Sequence, residues 1–98
     1  MPKPSRILVV DAERNLVRLA QTNLERAGYR VITSSSGKEA LAKAESEKPD
    51  LIVVGTIPAP VDAAELLKRL RANEATKSVR VVRLTGKMSD LDLSDDRG

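Results

Sequence analysis

Two short stretches of the chain, Ile7-Leu-Val-Val10 and Leu51-Ile-Val-Val54, contain no polar position at all. A strand that met water on one face would alternate apolar with polar residues, because successive side chains point to opposite sides. Both runs are therefore expected inside a sheet that helices cover on both faces, which narrows the fold more than any other feature of the sequence. Around them the apolar spacing changes to that of helices. Leu16, Ala20, Leu24 and Ala27 recur every three or four residues with Val17 beside them, while Arg14, Arg18, Gln21 and Glu25 face away. This predicts an amphipathic helix from Glu13 to Ala27, stopped by Gly28. Tyr29 to Thr33 reads as a second, β-branched strand. Ser36-Gly-Lys-Glu39 has the spacing of a capping box, opening a helix with Ala40, Leu41 and Ala44 inward and Pro49 closing it. After the stiff Thr56-Ile-Pro-Ala-Pro60 loop, Asp62 and Glu65 form a second such box before a helix with Ala63, Leu66, Leu67 and Leu70 on one side. Val79 to Leu84 is a fourth strand. Strands alternating with helices in this way imply right-handed crossovers and a parallel sheet.

With 98 residues, one domain is expected to fill the chain, 1–98, with an acidic tail over 88–98. Apolar residues make up 41% and charged residues 32%, which suits a globular chain rather than a disordered one. Cysteine and histidine are both absent, so disulfides, thiolate metal sites and the commonest general base are excluded. Any enzyme chemistry would rest on carboxylates, hydroxyls or lysines. No apolar run reaches the roughly 20 residues of a membrane span, and Met1-Pro2-Lys3-Pro4 leads into a strand rather than a signal peptide, so a cytoplasmic location is expected. The net charge of +3 combines a basic body with a tail carrying Asp90, Asp92, Asp95 and Asp96 against Arg97. A basic surface can attract nucleic acid, but single-strand readers interleave stacking aromatics, and Tyr29 is the one aromatic here.

The segments Ile7-Leu-Val-Val-Asp11, Leu24-Glu-Arg-Ala-Gly-Tyr29, Gly37-Lys-Glu-Ala-Leu41, Lys48-Pro-Asp-Leu-Ile-Val-Val54, Glu65-Leu-Leu-Lys-Arg-Leu-Arg71 and Val81-Val-Arg-Leu-Thr85 follow one another in the order of a response-regulator receiver domain. Over Ser5 to about Lys87 the chain resembles that CheY-like family. The resemblance implies a flavodoxin-like α/β fold, a three-layer α/β/α arrangement with a parallel sheet of order 2-1-3-4-5, of which 2-1-3-4 is expected in this chain. It places the site at the carboxyl ends of strands one and three, where the winding direction reverses. Asp11, Gly55 and Thr85 should converge there.

In that family a carboxylate at the end of strand three attacks a phosphoryl group while Mg²⁺, held by neighbouring acids, screens the charge. This sequence departs from the pattern twice. Gly55 stands at the position of the phosphoacceptor aspartate and has no side chain. The acidic pair after strand one is reduced to Asp11 followed by Ala12, leaving a vestigial pocket of Asp11, Ala12 and Glu13. Neither a metal nor another cofactor is expected. Thr56 could offer a substitute hydroxyl, but no activating base lies nearby. Thr85 matches the switch hydroxyl of the family, yet without an acceptor it reads as a strand-end hydroxyl bonding the adjacent loop. Asp11 and Glu13 read more simply as acids complementing a helix dipole than as cation ligands. Ser36-Gly37-Lys38 lacks the remaining residues of a phosphate loop, so capping is its reading.

A full receiver continues through a fourth helix, a fifth strand and a fifth helix, for which Lys87 to Gly98 leaves no room; the fifth strand and helix are expected to be missing. Lys87 lies too early to be the lysine of that fifth strand. Arg80 and Arg83 differ in parity and should point to opposite faces of strand four, as suits an edge. Val79, Val81, Val82, Arg83 and Leu84 are accordingly the candidate interface, with a homodimer formed through this edge. The expectation is a phosphorylation-independent receiver-like module, not an enzyme, that contacts a protein partner in two-component signalling. The competing readings are a working phosphoacceptor with a non-standard site and a basic nucleic-acid-binding module.

Overall fold

The computed structural model describes residues 5–84. Thr85, Lys87 and the acidic segment 88–98 lie outside the described residues. Four strands, β1 (Arg6–Val10), β2 (Arg30–Ser34), β3 (Leu51–Val54) and β4 (Arg80–Arg83), alternate with three helices, α1 (Arg14–Arg26), α2 (Gly37–Glu47) and α3 (Ala63–Ala72). All strand pairs are parallel, and the order is β2-β1-β3-β4. This is the expected flavodoxin-like arrangement.

The uninterrupted apolar runs have the explanation their composition requires. Ile7, Val9 and Val53 are buried with Ala20 and Leu24 of α1, while Leu8, Val10, Ile52 and Val54 are buried with Ala40 and Ala44 of α2 and Leu66 and Leu70 of α3. Each strand thus feeds two cores, one per face, and no position is left for a polar side chain. Fully burying a side chain of this size contributes about 2 kcal/mol, so the seven strand residues contribute a large share of the stabilising burial.

Helix ends follow their sequence signals with several corrections. At the end of α1, Gly28 sits at φ +99, and the amides of Gly28 and Tyr29 donate to the carbonyls of Glu25 (3.0 Å) and Leu24 (3.1 Å). That is a Schellman turn, with Tyr29 packed into the same cluster as Leu24. It turns Ala27 out to solvent, where the apolar spacing had placed it inward, and Gln21 is half-buried rather than outward. Helix α2 ends at Lys48, not by Pro49 itself: Lys48 adopts the left-handed conformation at φ 51 and donates to the Ala44 carbonyl. Arg6 Nη1 reaches the Glu47 carbonyl at 2.8 Å, satisfying a second helix-end acceptor. Both capping boxes are only partly as expected. Ser36 Oγ accepts from the Glu39 amide at 3.1 Å, but the Glu39 carboxylate accepts from the amide of Ser35, one residue before the cap. Asp62 Oδ1 accepts from the Glu65 amide at 2.9 Å, whereas the Glu65 carboxylate turns forward to Arg69 Nε at 2.7 Å.

Strand β4 pairs with β3 and, among the described residues, with no strand on its other edge. Arg80 stands beside Leu51 and Arg83 beside Val54, which belong to opposite faces, so the two arginines do point to opposite sides, and both are exposed.

Candidate functional site

The parallel order brings the carboxyl ends of β1 and β3 together, and the chain winds away from them in opposite directions. β1 runs into Asp11 and the loop before α1; β3 runs into Gly55 and the loop before α3. Asp11 is 2% exposed. A carboxylate so removed from water needs donors, and here it has two. Oδ1 accepts from the Glu13 amide at 2.7 Å and Oδ2 from the Thr56 amide at 3.0 Å. Backbone bonds close the same junction: the Ala12 amide donates to the Thr56 carbonyl (3.0 Å), Gly55 to Val10 (2.8 Å) and Asp11 to Ser34 (3.2 Å).

Gly55 faces this carboxylate at close range. A Cβ built on Gly55 would overlap Asp11 Oδ2 and approach its Cγ to 2.9 Å and its Cβ to 3.3 Å. The volume in which a side chain at position 55 would begin is occupied by Asp11. Ala12 and Glu13 are exposed, and Glu13 is the N-cap residue of α1 without a side-chain cap of its own. Thr56 enters the junction through its backbone, donating to Asp11 and accepting from Ala12, and is exposed.

A divalent ion does not fit these donors. Mg²⁺ asks for about six oxygens, usually with more than one carboxylate. Ala12 and Gly55 supply no side-chain oxygen, both Asp11 oxygens already face amides, and no group of three or more acidic residues gathers anywhere among the described residues.

Asp11, Ala12, Glu13 and Gly55 are therefore brought together as their positions implied, while Thr85 lies outside the described residues. The interface candidates separate. Val79 and Val81 pack toward the core under α2 and α3, and Leu84 packs toward the core under α1. Val82 is half-buried beside Val53, on the α1 side of the sheet, and Arg83 is exposed. Two participants were not legible in the sequence. The Thr56 amide gives no compositional signal because every residue but proline carries one. Ser34 is 5% exposed, its carbonyl accepts from Asp11, and its hydroxyl has no hydrogen-bond partner among the described residues.

Residues 7–95 match the family described as the response regulator receiver domain. The chain belongs to that family. It is 48% identical over 87 residues to the alkaline phosphatase synthesis transcriptional regulatory protein PhoP of Bacillus subtilis, covering 89% of this chain and 35% of that regulator. Protein PilG of Pseudomonas aeruginosa is 32% identical over 82 residues, covering 84% of this chain and 61% of PilG. Among solved structures, the N-terminal domain of a response regulator receiver protein from Methanoculleus marisnigri superposes with a TM-score of 0.80 at 40% identity, over 85% of this chain and 68% of that one. Chemotaxis protein CheY4 of Vibrio cholerae gives 0.76 at 28% identity, over 82% and 67%. The chain thus spans about a third of the length of the Bacillus regulator.

Proposed function

We propose that this receiver domain works by contact with a protein partner in a cytoplasmic two-component pathway, takes up no phosphoryl group and is not an enzyme. The observation that carries the reading is the junction of Gly55 with Asp11: position 55 has no nucleophile, and the nearest carboxylate is buried and committed to two amides. A buried carboxylate without room for an incoming phosphoryl group is a poor acceptor. Incubation of the 98-residue chain with acetyl phosphate and Mg²⁺, followed by intact-mass measurement, is expected to show no added phosphoryl group. Stoichiometric addition removed by hydroxylamine would refute the reading and favour a non-standard acceptor.

For the partner, we propose a second copy meeting the outer edge of β4. The support is that this edge pairs with no described strand and that Val82, on the α1 side of the sheet beside Val53, is half-buried. Unpaired edges are the common route to strand addition, and twofold pairing is the commonest symmetry. Because Val79 and Val81 are drawn inward, Val82 is the residue to substitute. Light scattering at micromolar concentration should give a dimer mass that Val82→Glu reduces to a monomer mass; a monomer mass for the unaltered chain rejects the contact.

A further inference from the structure

Asp11 has a use in this chain that requires neither metal nor phosphate. Its two oxygens hold amides on two loops that are distant in sequence: Glu13 belongs to the approach to α1 and Thr56 to the approach to α3, 45 positions from Asp11. An acid placed only to complement the α1 dipole would sit in solvent near the first turn. Asp11 instead is buried and bonded across the sheet. Charge-assisted bonds of this kind are about twice as strong as neutral ones, and burial protects them from competing water. The exposed residues around the junction, Ala12, Glu13 and Thr56, are held in register with each other by these bonds and by the Ala12 to Thr56 backbone bond.

We infer that the Asp11 carboxylate is an internal latch, a positioning residue that ties the β1–α1 loop to the β3–α3 loop and keeps this end of the domain in one arrangement. Gly55 is the second half of the device, because any side chain at position 55 would displace the carboxylate from the Thr56 amide. The inference rests on the reading of the domain as a contact module without phosphate, and it assigns to the remnant of the site a fixed, ligand-independent surface.

The test is a cycle of Asp11→Ala, Gly55→Ala and the double variant in the 98-residue chain, read by amide hydrogen exchange and by urea denaturation. Asp11→Ala should speed exchange of the Thr56 amide by about tenfold relative to the central amides of β1, the equivalent of one lost charge-assisted bond. Gly55→Ala should do the same, since the added methyl evicts the carboxylate. In the Asp11→Ala background the Gly55 substitution should then have no further effect on either readout. Asp11→Asn preserves the shape and one acceptor, so it keeps the fold and should lose protection at one of the two amides, Glu13 or Thr56. Unchanged Thr56 protection in Asp11→Ala, full protection at both amides in Asp11→Asn, or simple additivity in the cycle would each overturn the latch. Phosphoryl uptake by the unaltered chain would sink the functional reading alone, since the exchange data are collected without phosphate.

Discussion

Asp11, ahead of α1, and Asp62, ahead of α3, both offer a carboxylate oxygen to a backbone amide, yet they differ in where the amide lies and how much water reaches it. Asp62 serves the Glu65 amide three residues on and is exposed. Asp11 serves Glu13 two residues on and also Thr56 at the end of another strand, and it is buried. The first bond completes a helix that α3 would largely form through its own apolar face, Leu66 and Leu70. The bond from the Thr56 amide to Asp11 exists only when β1 and β3 are already side by side. The same chemistry is thus a local cap in one place and a tertiary fastening in the other.

Measured stability can break that contrast. Asp11→Ala removes the buried acceptor of two part-buried, charge-assisted bonds, which should cost about 3 kcal/mol in urea denaturation. Asp62→Ala loses one exposed cap and should cost about 1 kcal/mol. Equal costs would mean that burial adds nothing to Asp11. Smaller again is the acid-side contribution of Glu39. The Ser35 amide bond, opposed by desolvation and helped by Lys43, holds its carboxyl below the ordinary value of 4.5. A depressed carboxyl stabilises the fold above the unfolded value, and that stability is lost as pH falls through the folded value. Glu39→Gln should therefore lower stability slightly at neutral pH and flatten the acid limb below pH 4.5, a shift kept small by exposure and of which salt removes only the Lys43 part. An acid limb unchanged by the substitution would assign that limb to other carboxyls.

The two partly formed capping boxes show how far local spacing carries. Ser36 and Asp62 are found where the pattern S/D-x-x-E puts them, because the bond from the cap oxygen to the amide three residues on lies within one turn. The return arm depends on what else a long Glu side chain can reach, and Glu65 finds Arg69 on its own helix. Ala27 fails for a related reason: its spacing is helical, but the turn at Gly28 takes the chain off the apolar stripe before Ala27 can use it.

What the amino-acid order determined by itself is whatever acts within a few residues or through simple exclusion of water. The polar-free runs Ile7–Val10 and Leu51–Val54 require two covered faces, helical spacing sets α1 to α3, and Gly55 and Ala12 show which side chains the site lacks. The tertiary structure alone decided what became of the side chain that remains. Its carboxylate could have faced water, a cation or a helix end. The 2-1-3-4 order instead sets β1 against β3, and the missing Cβ of Gly55 leaves room for Asp11 to reach the Thr56 amide. A backbone donor carries no signature in the sequence, so only the packing of two strands whose partners, such as Val10 and Val54, are far apart in the chain reveals that it is there to be bonded.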